Sequence, residues 1–156
     1  MFLIYHSQYN PSNLTGAVGG DIGSTQLSGY LNELFYHVAV PPSGINTTSH
    51  QYRKVFIKNT YPNSSTNTRI WLDSVEHEQQ ISISRSASLS DTSTTPTGQP
   101  STVTGWVTPY NYSEGLNLGA ITTNAYTGFW IRQSLSGIYY EDPFATFRLN
   151  IGGLVE

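Results

Sequence analysis

The sequence predicts an all-β protein, an antiparallel β-sandwich of the jelly-roll or Ig-like type. Apolar and polar residues alternate over short runs, as in strands with one buried face. Clusters of Gly, Pro, Asn, Ser and Thr separate these runs, roughly every ten to fifteen residues. No alternation of helical and strand patterns suggests a parallel sheet, and no repeat of solenoid or propeller length is visible. At 156 residues the chain has the size of one domain and can bury a real core.

Residues 1–26 carry "GAVGGDIG" and little periodicity, so they read as an extended N-terminal arm with a short strand over residues 2–5. The sandwich domain is expected over residues 27–156. In "LSGYLNELFYHV", Leu27, Leu31, Leu34, Phe35 and Val38 recur at helical spacing, which allows one short helix within residues 27–38. Gly29 and the β-branched, aromatic end weaken that helix, and a strand over residues 34–40 fits nearly as well. "PPSGINTTSH" ends either structure.

From there the strand signal is strong. "YRKVFIKNT" turns Val55 and Ile57 one way and Lys54, Phe56 and Lys58 the other. "RIWLDS" sets Ile70 and Leu72 against Trp71, and "QISISRS" sets Ile81 and Ile83 against serines. "SLSDTSTTPTGQPST" reads as a loop too polar to bury, followed by a short strand around Trp106. "LNLGAIT" pairs Leu116 with Leu118. "AYTGFWIRQ" places Phe129 and Ile131 on one face, and Tyr126, Trp130 and Arg132 on the other. "FATFRLNI" aligns Phe147, Leu149 and Ile151. The common core expected from these runs is Val55, Ile57, Ile70, Leu72, Ile81, Ile83, Phe129, Ile131, Phe147, Leu149 and Ile151.

The net charge of −3 and a pI near 5.7, with seven Lys and Arg spread along the chain, argue against a nucleic-acid partner. Charged residues at 11% and aromatics at 13% do not suit a disordered chain. The absence of cysteine excludes disulfide scaffolds, Cys-rich zinc sites and thiol catalysis. No apolar stretch approaches bilayer length, so no membrane partner is expected, and "MFLIYHSQYNPSN" lacks the basic flank of a secretory signal. The sequons at Asn13, Asn46, Asn63 and Asn111 therefore read as chance in an Asn/Ser/Thr-rich chain.

His6, His37, His50 and His77 lie in separate segments without metal-ligand spacing, and "EHE" at 76–78 reads as a solvated turn. There is no G-x-S-x-G elbow, no Ser-x-x-Lys and no phosphate loop. Glu141, Asp142 and Asp91 are the acids from which a glycosidase pair would have to converge. The expectation is a non-enzymatic protein with no catalytic residue, cofactor or metal. Eleven Tyr and three Trp on a Ser/Thr/Asn-rich scaffold also suit a carbohydrate-binding module, with the glycan as partner.

In order along the chain stand "LNELFYHV", "YRKVFIKNT", "RIWLDS", "ISIS", "TPTG", "LNLGAI", "GFWIRQ" and "FRLNI". This ordered set resembles a group of small β-sandwich virion structural proteins of tailed bacteriophages. The matching positions are Tyr52, Arg53, Lys58, Asn59, Trp71, Leu118, Gly119, Trp130, Ile131 and Arg132, within a resemblance that spans about residues 27–151. Gln133 stands where the group has a second Arg, and "SLSGIYYEDP" replaces its Pro-Ala-Gly-Ala-rich loop.

The resemblance implies a virion location and a structural role, first as a capsid decoration or cement protein. A tail, baseplate or fibre-attachment role and a carbohydrate-binding module are the alternatives. The partners implied are the major capsid protein or other virion proteins, with symmetric self-association as a trimer or dimer. Trp130, Arg132, Trp71 and Tyr126 are the expected interface residues, because Trp and Arg dominate interface hot spots.

Overall fold

A computed structural model describes residues 1–11, 15–27, 34–35, 48–75, 80–136 and 147–155. Among the described residues there are nine strands: β1 Phe2–Tyr9, β2 Val18–Gln26, β3 Thr48–Asn59, β4 Ser65–Val75, β5 Gln80–Arg85, β6 Thr92–Ser93, β7 Leu116–Ile121, β8 Tyr126–Ser136 and β9 Phe147–Val155. They form two antiparallel sheets, one of six strands in the order β5-β8-β3-β1-β2-β6 and one of three in the order β7-β4-β9. The fold is the all-β sandwich expected, with one of the two sheets strongly curled. The helix or strand considered for residues 27–40 lies outside the described residues, apart from Leu27, Leu34 and Phe35.

The core lies between the sheets. Val55, Ile57, Ile81, Ile83, Phe129 and Ile131 of the larger sheet meet Ile70, Leu72, Leu118, Ile121 and Phe147 of the smaller, and all are buried. Leu149 and Ile151 pack against them, partly buried. Alternation explains the outcome: a strand shows every second residue to one face, so these runs bury their apolar set in one register only. Each fully buried Val, Leu, Ile or Phe contributes about 1.5–3 kcal/mol.

Residues 1–26 differ from the arm expected. β1 lies inside the larger sheet, paired with β3 from Phe2 opposite Asn59 to His6 opposite Val55, and with β2 on its other side. The order of β1 comes from backbone pairing on both edges together with Phe2 and Ile4, which pack partly buried against the core. The glycines of β2 are architectural. Gly19 and Gly20 adopt φ of +97° and +81°, which only glycine enters without steric cost. A β-carbon on Gly19 would stand 2.6 Å from the Asp91 carbonyl oxygen and 2.8 Å from the Trp130 ring.

The polar segment 86–109 also departs from its expected character as a loop too polar to bury. Ser93, Pro96, Pro100 and Val103 within it are buried. The segment runs across the outer face of the larger sheet: Tyr52 N donates to Pro96 O at 2.7 Å, and Ser84 Oγ donates to Thr104 O at 2.9 Å. Ile83 and Val107 exchange backbone hydrogen bonds of 2.8 and 3.0 Å, which form a bridge. The larger sheet is thus covered on both faces.

Candidate functional site

The chemistry-bearing side chains gather on that covered outer face. Its rungs follow from register: Lys54 stands opposite Trp130, which stands opposite Ser84. Tyr52 stands opposite Arg132, which stands opposite Ser82, and His50 stands opposite Ser134. The first rung is closed. Trp130 has no exposed surface and forms a second, smaller core with Val18, Tyr52 and Val103, with Trp106 packed against it.

Lys54 and Asp91 fasten the segment over this core. The Lys54 ammonium donates to the carbonyl oxygens of Gly20 at 2.8 Å, Ser88 at 3.0 Å, Leu89 at 2.7 Å and Asp91 at 3.3 Å, and it is ion-paired with Asp91 Oδ1. It also lies 4.9 Å from the Phe56 ring centroid. Asp91 Oδ1 accepts from Ser86 Oγ at 2.6 Å, and Oδ2 accepts from Trp130 Nε1 at 3.0 Å and Thr102 Oγ1 at 2.9 Å. The Asp91 carbonyl accepts from Gly20 N at 2.8 Å. One residue thereby ties together β2, β3, β8 and its own segment.

Burial works against both charges of the pair. It would raise the Asp91 pKa, but the hydrogen bonds from Lys54, Ser86 and Trp130, with the Lys54 charge, hold it below the ordinary carboxylate value. Burial lowers the Lys54 pKa, and Asp91 and Asp21 only partly offset this. The two shifts weigh the pair differently. Asp91 is the firmer guide, because four donors converge on its carboxylate, so the pair is ionised at neutral pH.

The second rung is half open. The Arg132 guanidinium lies 4.9 Å from the Trp106 ring centroid, and its Nη2 donates to Ser82 Oγ at 3.3 Å. Tyr52 packs on Trp106 with ring centroids 5.6 Å apart. His50 Nδ1 hydrogen-bonds Ser134 Oγ at 2.8 Å, and burial, then the Arg132 charge, lowers the His50 pKa. The patch is a cation stacked on an indole, a geometry that suits contact with another surface.

The four residues expected to make an interface do not form one patch. Trp130 is core. Arg132 is the next rung and partly exposed. Tyr126 shares their face at the start of β8, edge-on to Phe56 at 5.7 Å, with its hydroxyl donating to Asp21 Oδ1 at 3.1 Å. Trp71 belongs to the smaller sheet, T-shaped against Tyr112 at 5.6 Å and close against Gly152. Among the described residues, no group of three or more His, Cys, Asp or Glu is placed to hold a metal.

Sequence reasoning missed Lys54 and Asp91. The available signal was Phe56 and Trp130, large aromatics on the face opposite the core, which require a second cover.

Compared with known proteins, the chain matches no family model, no curated protein and no solved structure.

Proposed function

We propose that this chain is a structural protein of a tailed-bacteriophage virion, acting as a capsid decoration or cement protein that stabilises capsomer junctions. The observation that carries the reading is what the motif residues do. Those that give the resemblance are mostly parts of the frame. Tyr52, Arg53, Asn59, Leu118, Trp130 and Ile131 are buried, and Gly119 takes a φ of +82° where the β4–β7 register shifts. Asn59 is the clearest case. Its Nδ2 donates to Asn63 O and Ile121 O at 3.0 and 2.8 Å, and its Oδ1 accepts from Tyr61 N at 2.9 Å. A motif set spent on rigidity supports a structural protein more than a substrate site.

Arg132 on Trp106, Tyr126 and Trp71 are the motif-strand side chains left to meet major capsid protein or another virion protein. Adding the purified chain to heads that lack it tests the cement role. The heads should then release DNA at a higher temperature, and an unchanged release temperature argues against the proposal. Trp71 with Tyr112 and Arg69 also offers rings to a glycan, the second reading. That reading requires saturable binding on a glycan array, which a cement protein does not give.

A further inference from the structure

The segment over the outer face is fixed at both ends. Ser86 N donates to Gly128 O at 3.2 Å just past β5, and Val107 is bridged to Ile83. Between these points, the backbone of residues 88–103 is tied to the sheet at β2 and β3. Thr92 and Ser93 pair with Gly19 and Val18, Gly20 N donates to Asp91 O, and Tyr52 N donates to Pro96 O. Other bonds stay inside the stretch: Gly98 N donates to Thr95 O at 3.0 Å, and Val103 N to Pro100 O at 3.2 Å. Bonds of that kind travel with the stretch if it lifts.

Lys54 couples this cover to charge. Its ammonium is held by the carbonyl oxygens of Ser88, Leu89 and Asp91 and by the Asp91 carboxylate, all of which belong to the stretch. Gly20 O, from β2, is the acceptor that does not. The Lys54 side chain has no exposed surface in this closed arrangement. A buried ammonium deprived of its counter-ion is strongly unfavourable. Lifting the stretch is the smallest rearrangement that relieves it, because Lys54 then returns to water. The main core need not open, since Trp130 and its neighbours form a separate cluster on the other side of the sheet.

We propose that residues 88–103 are a strap that opens as a unit when the Asp91 carboxylate is neutralised, while the two-sheet sandwich stays folded. Opening uncovers Trp130, whose indole N–H is bonded to that carboxylate. The charged groups that bear on the pair are Lys54 from β3 and Asp21 from β2. Ser86, Thr102 and, from β8, Trp130 donate to the carboxylate and stay neutral. Acid opens the strap as pH falls through the lowered folded value of Asp91, and removing the charge by substitution opens it at neutral pH.

Amide hydrogen exchange on the full chain carrying Asp91→Asn, at neutral pH, tests this independently of any virion role. Two sets of amides read strap and sandwich separately. Gly20 and Tyr52 donate to strap carbonyls, whereas Val55, Phe56 and Ile57 lie between β1 and β8. In Asp91→Asn, the Gly20 and Tyr52 amides should exchange about tenfold faster or more, with Val55 to Ile57 as protected as in the native chain. Lys54→Met with Asp91→Leu leaves no charge to release, so it should return Gly20 and Tyr52 to slow exchange. The proposal is overturned if Asp91→Asn leaves those two amides as slow as in the native chain, or if both sets quicken together. A double variant that exchanges as fast as Asp91→Asn overturns it too.

Discussion

Asp91 shows how much one side chain can hold. It is a lone acid in a Ser/Thr-rich run, and nothing in that run marks it. Its partners Lys54 and Trp130 come from strands 37 and 39 residues away in sequence. Asp91→Ala leaves the Lys54 ammonium buried without its counter-ion, which should cost about 3–5 kcal/mol, measured by urea unfolding. Changing both residues, Lys54→Met with Asp91→Leu, should recover most of that loss, because no uncompensated charge remains.

The pH dependence has a definite sign. The folded Asp91 pKa lies below its ordinary 3.8, so its stabilisation is complete above that value and is lost as pH falls through the lower folded value. The lowered Lys54 pKa acts at the other end: burying the charged form costs stability at neutral pH, and the cost eases only as pH rises toward 10.5. Unfolding free energies measured between about pH 5 and pH 2, where carboxylates titrate, should fall more steeply for the native chain than for Asp91→Asn. Equal slopes would mean that the carboxylate is not held as described.

Trp130 carries the other residue-scale lesson. Alternation assigns it to the face opposite Phe129 and Ile131, and that is where it lies. Alternation cannot tell whether that face meets water, a partner or the chain itself. Here segment 86–109 covers it. Trp130→Ala should therefore destabilise the isolated chain by about 3–5 kcal/mol. Arg132→Ala should leave stability nearly unchanged while weakening attachment, by about 2 kcal/mol if Arg132 is a hot spot.

Among the elements, legibility followed the source of each strand's stability. β3, β4, β5, β8 and β9 bury an alternating apolar face, and period-2 reading finds such faces. β1 and β2 are held by ladders on both sides and by glycines that allow close approach, features that resemble a flexible arm in sequence. Amide exchange should show residues 2–9 protected in the isolated chain, because β1 sits between β2 and β3. Gly19→Ala should destabilise strongly, by about 1 kcal/mol from backbone conformation alone, with the clash against Asp91 and Trp130 added. Rapid exchange across β1 would restore the arm. Phe147→Ala, at the start of β9 and buried in the core between the sheets, should cost about 3–5 kcal/mol.

For the whole molecule, the fold class was legible because it depends on period and punctuation, which are local. The covered outer face was not, because a polar segment can be buried when each polar group finds a partner, and partners are a long-range property. Function is less local still: the proposal rests on an ordered motif set whose residues build a frame. Counting the chain in purified heads and tails of a phage that carries its gene, by quantitative peptide mass spectrometry, tests that proposal most directly. A cement protein predicts on the order of hundreds of copies per particle, in the head fraction, set by the symmetry of the shell. Absence from both fractions would contradict a virion role, and a few copies confined to tails would contradict the cement assignment.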